Sequence, residues 1–95
     1  MQKYKQIKLD NNTYDIIENK NDCLNKEDLE NKYTDYFNDY DYILGDISYN
    51  KLRLKGFCNK NNKKFNNIND INNKEKYLKE LCAYNCNYFL LKKVK

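Results

Sequence analysis

The chain has no histidine, no proline and no tryptophan, and only two glycines and one arginine in 95 residues. Without histidine there is no imidazole acid or base, no Ser-His or Cys-His nucleophile pair and no histidine metal ligand. No apolar run approaches the ~18 residues of a membrane-spanning helix. The opening Met1-Gln2-Lys3-Tyr4-Lys5 leads into no apolar segment, so no secretory leader is expected and the cytoplasm is the expected compartment. Phosphate loops, dinucleotide fingerprints and calcium loops are all missing. Four cysteines in a reducing compartment are free thiols or metal ligands before they are disulfides.

What is present suits one small globular domain over residues 1–95. The chain is 40% hydrophobic and 34% charged, with ten Tyr and four Phe that need a core to pack in. A chain this short buries only about 60–65% of its unfolded surface, so that core is small. About a fifth of the residues are Asn, and the basic residues are nearly all Lys. Codon usage in an AT-rich genome is the plainest cause, so single Asn or Lys residues carry little weight. The net charge of +4 is unevenly spread. Glu27, Asp28, Glu30, Asp35, Asp39, Asp41 and Asp46 face Lys32 alone between positions 27 and 46. Lys51, Arg53, Lys55, Lys60, Lys63 and Lys64 follow with no acid among them. Such asymmetry gives a basic face for a polyanion and an acidic face for solubility or a basic partner.

Lys5–Leu9 and Thr13–Glu18 read as a hairpin around the turn residues Asp10-Asn11-Asn12. Asn25 caps a helix over Lys26–Asn38, whose stripe is Leu29, Tyr33, Tyr36, Phe37 and Tyr40 and whose other face is acidic. Tyr42-Ile43-Leu44 is a short buried strand ended by Gly45-Asp46. After a turn at Ser48–Asn50, Tyr49, Lys51, Arg53, Lys55 and Phe57 alternate against Leu52, Leu54 and Gly56, a half-buried strand of period two. Asn59–Asn73 is low in complexity and reads as loop, pinned by Phe65, Ile68 and Ile71. A second capped helix starts near Asn72, with Tyr77, Leu78, Leu81 and Cys82 on its apolar side, and ends near Tyr84 or Asn85. Tyr88–Leu91 is a last buried strand that Val94 extends. The order ββαββαβ is an α+β fold with a mostly antiparallel sheet. Both helices are expected on one face in a ferredoxin-like, split βαβ arrangement, leaving Lys51–Lys55 on the open face if Leu52 and Leu54 face the helices. The alternative is an α+β sandwich in which the first hairpin covers that face.

Three constellations could carry chemistry. Tyr49, Lys51, Arg53, Lys55 and Phe57 interleave cations and rings, as single-stranded nucleic acid requires: cations neutralise phosphates and rings stack on bases. The ordinary reading is a solvated strand face with gatekeeping charge. Cys82 and Cys86 are the one close cysteine pair, whereas a zinc site needs two pairs; buried small side chains at a helix end explain them more simply. Asp46 beside Gly45 sits where a catalytic carboxylate could, but it is also a turn residue able to pair with Arg53 or Lys51 across the hairpin.

The run Tyr40-Asp-Tyr-Ile-Leu-Gly-Asp46, then Tyr49 and Leu52-Arg-Leu-Lys-Gly-Phe57, resembles the YutD-like family of small bacterial proteins. Tyr14-Asp-Ile-Ile-Glu-Asn19, Tyr77-Leu78, Cys82-Ala-Tyr-Asn-Cys86, Tyr88-Phe89 and Leu91 fit the same pattern, with the poorest match in the Asn-rich loop. Ile47 and Ser48 replace the family's Trp and Gly, and Asn85 and Asn87 replace Gly and a small residue. The resemblance implies a one-domain cytoplasmic bacterial protein and supplies little mechanism. The leading expectation is a non-enzymatic module whose basic strand face contacts RNA or a ribosome-associated assembly: Lys51, Arg53 and Lys55 hold phosphates while Tyr49 and Phe57 stack. The alternative is a protein–protein adaptor presenting Glu27, Glu30 and Asp35 to a basic partner. A third class centres catalysis or redox chemistry on Asp46 or on Cys82 and Cys86. No metal, cofactor or membrane partner is expected.

Overall fold

A computed structural model describes residues 5–48, 50–81 and 87–94. Five strands, β1 (Gln6–Leu9), β2 (Asn12–Asn19), β3 (Tyr42–Ser48), β4 (Lys51–Phe57) and β5 (Asn87–Lys93), form one sheet. Its order is β1-β2-β5-β3-β4, and every neighbouring pair is antiparallel. Helix α1 (Lys26–Lys32) joins β2 to β3, and α2 (Lys74–Leu81) lies between β4 and β5. The α+β class, the antiparallel sheet and the ββαββαβ order all match the sequence reading. β2 and β3 both run antiparallel to β5 between them, so β2-α1-β3 is a split βαβ unit.

The two helices do not share a face. Side chains along a strand alternate between faces. Ile43, Phe89 and Leu91 pack with Leu29 of α1, together with Tyr14, Leu52 and Leu54. Their neighbours Leu44 and Leu90 pack with Phe57 and with Tyr77 and Leu78 of α2. The sheet is therefore covered on both sides. The expected open face under Lys51–Lys55 carries α2, and the N-terminal hairpin extends the sheet rather than covering it.

Local chemistry explains the element boundaries. Asn25 caps α1 by accepting from the Asp28 backbone N–H at 3.1 Å. The expected single helix to Asn38 breaks at Tyr33 and Thr34, both extended, and resumes as a 3-10 turn over Asp35–Asp39. The break lets the Tyr33 hydroxyl reach that of Tyr14 at 3.1 Å, and β-branched Thr34 is a poor helix former. β3 runs straight through Gly45 instead of ending there. A Cβ at Gly45 would lie 2.1 Å from Cζ of Phe89, so glycine serves a close approach rather than a turn. The turns take Asp10 and Asn50 instead, at φ of 58° and 63°. α2 follows a 3-10 turn over Ile71–Asn73 whose cap is Asp70, not Asn72. The expected end of α2 near Tyr84 or Asn85 lies outside the described residues.

The Asn-rich stretch is a hydrogen-bonded structure. The Asn66 side-chain oxygen accepts from the backbone of Ile68 and of Asn69, each at 2.8 Å. Asn69 is buried and donates its amide to the Lys64 carbonyl at 2.8 Å. Asn62 donates to the Asp39 carbonyl and to Asp41. Asp70 then pairs in parallel with Cys58, just beyond the end of β4. Ile71 packs beneath α2, whereas Ile68 is 76% exposed and pins nothing.

Candidate functional site

The α2 side of the sheet carries an ionic ladder. Asp46 on β3 lies directly opposite Arg53 on β4 and Tyr88 on β5. Its carboxylate is fully buried; Oδ1 accepts from Arg53 Nε at 2.8 Å and Oδ2 from the Tyr77 hydroxyl at 3.3 Å. Glu18 of β2 continues the row, accepting from the Tyr88 hydroxyl at 2.9 Å and pairing with Lys74. These contacts tie the first residue and the middle of α2 to the sheet. The bond and charge of Asp46 hold the Arg53 guanidinium above its ordinary pKa. Burial pulls the Lys74 ammonium down, but Glu18 and Glu75 outweigh it and the net shift is upward. Burial and then the charge of Asp46 raise Tyr77. Burial and then the Glu18 bond raise Tyr88. Every shift favours the form that holds the ladder together.

The ladder changes the reading of the strand face. Lys51 is exposed, and Arg53 is exposed at its head yet committed to Asp46. Lys55 lies 5.6 Å from the Phe57 ring centre. Phe57 itself is fully buried, edge-on to Tyr77 at 5.8 Å, because α2 covers it. It offers no base-stacking surface. Tyr49, Cys82 and Cys86 lie outside the described residues. Asp46 pairs across the hairpin as its position suggested. A carboxylate that is fully buried and bonded at both oxygens meets no substrate, so a catalytic role for it has no support. Among the described residues no group of three or more Cys, Asp or Glu has metal-holding geometry, and no helix is long and apolar enough to cross a membrane.

The acids gather on the opposite side. Glu27, Asp28 and Glu30 on α1 and Asp35 and Asp39 on the 3-10 turn are all exposed. Glu30 and Asp35 line a cleft of about 310 Å³ with Leu9, Asp10, Tyr33 and Thr34. Asp10 reaches this cleft from the β1–β2 turn. Sequence reasoning treated it only as a turn residue, and nothing in its local context says that the hairpin turn will meet α1. Tyr36, next in the chain after Asp35, is 60% exposed, and its ring packs on Phe37 and Tyr40.

The family model of YutD-like proteins, described as "Putative antitoxin YutD-like", matches residues 8–92. The chain belongs to the YutD-like family. A curated relative, "Putative antitoxin YutD" of Bacillus subtilis strain 168, is 37% identical over 89 residues, covering 94% of this chain and 98% of the relative. The solution NMR structure of protein yutD from B. subtilis superposes with a TM-score of 0.81 at 35% identity, covering 99% of this chain and 86% of that one. The YutD-like match spans nearly the whole of this chain, and its five-stranded α+β fold matches that of the B. subtilis structure.

Proposed function

We propose that this YutD-like chain is a non-enzymatic protein-binding module of the cytoplasm, an antitoxin-type protein that engages a basic partner through its α1 side. The observation that carries this reading is the convergence of Asp10, Glu30 and Asp35 on one cleft that Tyr33 also lines. Three carboxylates from two parts of the chain form a field that steers a cationic partner, and Tyr33 in the cleft wall is of the residue type that anchors protein interfaces. The term antitoxin-type is taken from the name of the B. subtilis relative, "Putative antitoxin YutD". The RNA reading keeps Lys51, Arg53 and Lys55 on one strand face but loses Phe57 as a stacking ring, which leaves phosphate contacts alone to support it.

Affinity purification of the tagged chain from its own cells, with and without nuclease, tests the proposal. A protein partner that survives nuclease and is lost when Glu30 and Asp35 are reversed to Lys is the expected result. RNA that is lost on nuclease treatment, and whose retention depends on Lys51 and Lys55, would overturn it in favour of the basic face.

A further inference from the structure

β4 is an edge strand, and among the described residues nothing pairs with its outer side over Lys51–Phe57. The edge closes only beyond it, where Asp70 pairs in parallel with Cys58: the Cys58 N–H donates to the Asn69 carbonyl at 2.8 Å, and the Ile71 N–H donates to the Cys58 carbonyl at 3.1 Å. The chain thus adds a short extended segment of its own to this edge. Gly56 and Phe57 are buried there, while among the described residues no strand pairs with the outer side of Lys51–Lys55.

Two clefts flank the edge at Lys55, one on each face of the sheet. On the α1 face a cleft of about 230 Å³ is walled by Tyr36, Tyr40, Leu54 and Ile68. On the α2 face a groove of about 570 Å³ is walled by Lys55, Lys76, Tyr77 and Glu80. Ile68 and Lys55 border both. Tyr36 and Ile68, two large side chains left exposed, therefore face one cleft. A strand laid along the edge sends successive side chains to opposite faces. One cleft would receive an apolar side chain between rings and aliphatic groups. The other has two ammonium groups against one carboxylate and would receive an acid.

We propose that the outer edge of β4 is a β-augmentation site, filled by an extended segment of a partner protein in which an apolar residue adjoins an acidic one. Main-chain hydrogen bonds to the edge supply affinity, and the paired clefts supply selectivity. The lysines of β4 discourage edge-to-edge pairing with a second copy of this chain, since like charges would meet, while they favour an acidic segment. The site is separate from the acidic cleft and stands whether or not that cleft binds.

The test is selection of eight-residue peptides from a random display library on the intact chain, followed by synthesis of the enriched sequences. Enriched peptides carry an apolar–acidic neighbour pair. They shift backbone amide resonances of residues 51–57 and 66–68. Their Kd rises at least about tenfold, or about 1.4 kcal/mol, when alternate peptide amides are N-methylated, and similarly in Ile68→Asp or Lys76→Glu. Both side chains are exposed, so these variants keep the fold, which unchanged spectra outside the edge confirm. A library that enriches nothing overturns the proposal. So do enriched peptides that bind equally well when N-methylated, or that bind both variants as tightly as the native chain.

Discussion

The two faces of the sheet are held by different physics. On the α1 face, Ile7, Leu9, Tyr14, Leu29, Phe37, Ile43, Phe89 and Leu91 form one buried apolar body, and polar bonds stay at its rim, where Tyr14, Tyr33, Asn12 and Asn38 meet. On the α2 face the buried apolar residues, among those described, are Leu44, Phe57 and Leu90, and α2 is fastened by Asp46, Arg53, Glu18 and Lys74. Apolar burial stabilises without direction, roughly in proportion to area. Charged hydrogen bonds contribute less net stability but fix one orientation, because a buried carboxylate without its partner is costly. Among the described residues the α1 face therefore buries the larger apolar core, and the ionic contacts of the α2 face set where its helix lies.

Paired truncations would break that comparison if it is wrong. Leu29→Ala removes a fully buried side chain from the larger core and is expected to cost about 3–4 kcal/mol; Leu78→Ala, half-buried on the α2 side, should cost about 1–2. Urea unfolding midpoints measure both, and equal costs would show that the two cores are not unequal. Next in size, Arg53→Ala leaves Asp46 buried without its cation and should cost about 3 kcal/mol. The double change Arg53→Met with Asp46→Leu should cost clearly less than Arg53→Ala alone, because no charge is then stranded. If Arg53 serves phosphate binding instead, Arg53→Ala will leave the melting temperature unmoved and lower only nucleic-acid affinity.

The periodicity of two in β4, the Asn25 cap and the Asp46–Arg53 pairing were legible because each is a local pattern: alternation, a side chain three residues from its N–H, two residues facing each other across a short turn. The placement of the helices was legible too, but in a signal the one-face expectation set aside. Ile43-Leu44 and Phe89-Leu90-Leu91 are continuous apolar runs, and a strand that is apolar at adjacent positions is covered on both sides. The acidic helix stripe could be read, whereas the contribution of Asp10 to its cleft could not, since it depends on a hairpin turn meeting a helix far along the chain. The Asn-rich loop was hidden by composition. Where Asn is about a fifth of all residues, nothing marks Asn66 and Asn69 as the ones whose side chains replace backbone partners. Asn69→Ala should cost about 2 kcal/mol, since it leaves the buried Lys64–Asn69 contact unmade. The loss should appear as faster amide exchange in residues 64–71 before the sheet loosens.

The smallest expected effect probes the rim of the α1 face. The Tyr40 hydroxyl donates to that of Tyr36 at 2.9 Å, and this bond, reinforced by burial, pushes the Tyr40 pKa up to about 12. An unfolded tyrosine titrates near about 10, so between these values the folded chain holds a proton that the unfolded chain has lost. Stability from this bond is complete below about pH 10 and drains away as pH rises toward about 12. Tyr36→Phe removes the acceptor while leaving the ring, so Tyr40 should ionise nearer the ordinary tyrosine range and that segment of the stability curve should flatten. Ultraviolet absorbance of the tyrosinate follows the ionisation, and unfolding midpoints at pH values on either side follow the stability. An unchanged titration in Tyr36→Phe would mean that burial alone holds Tyr40, and that the exposed Tyr36 ring is free to meet a partner at no cost to the fold.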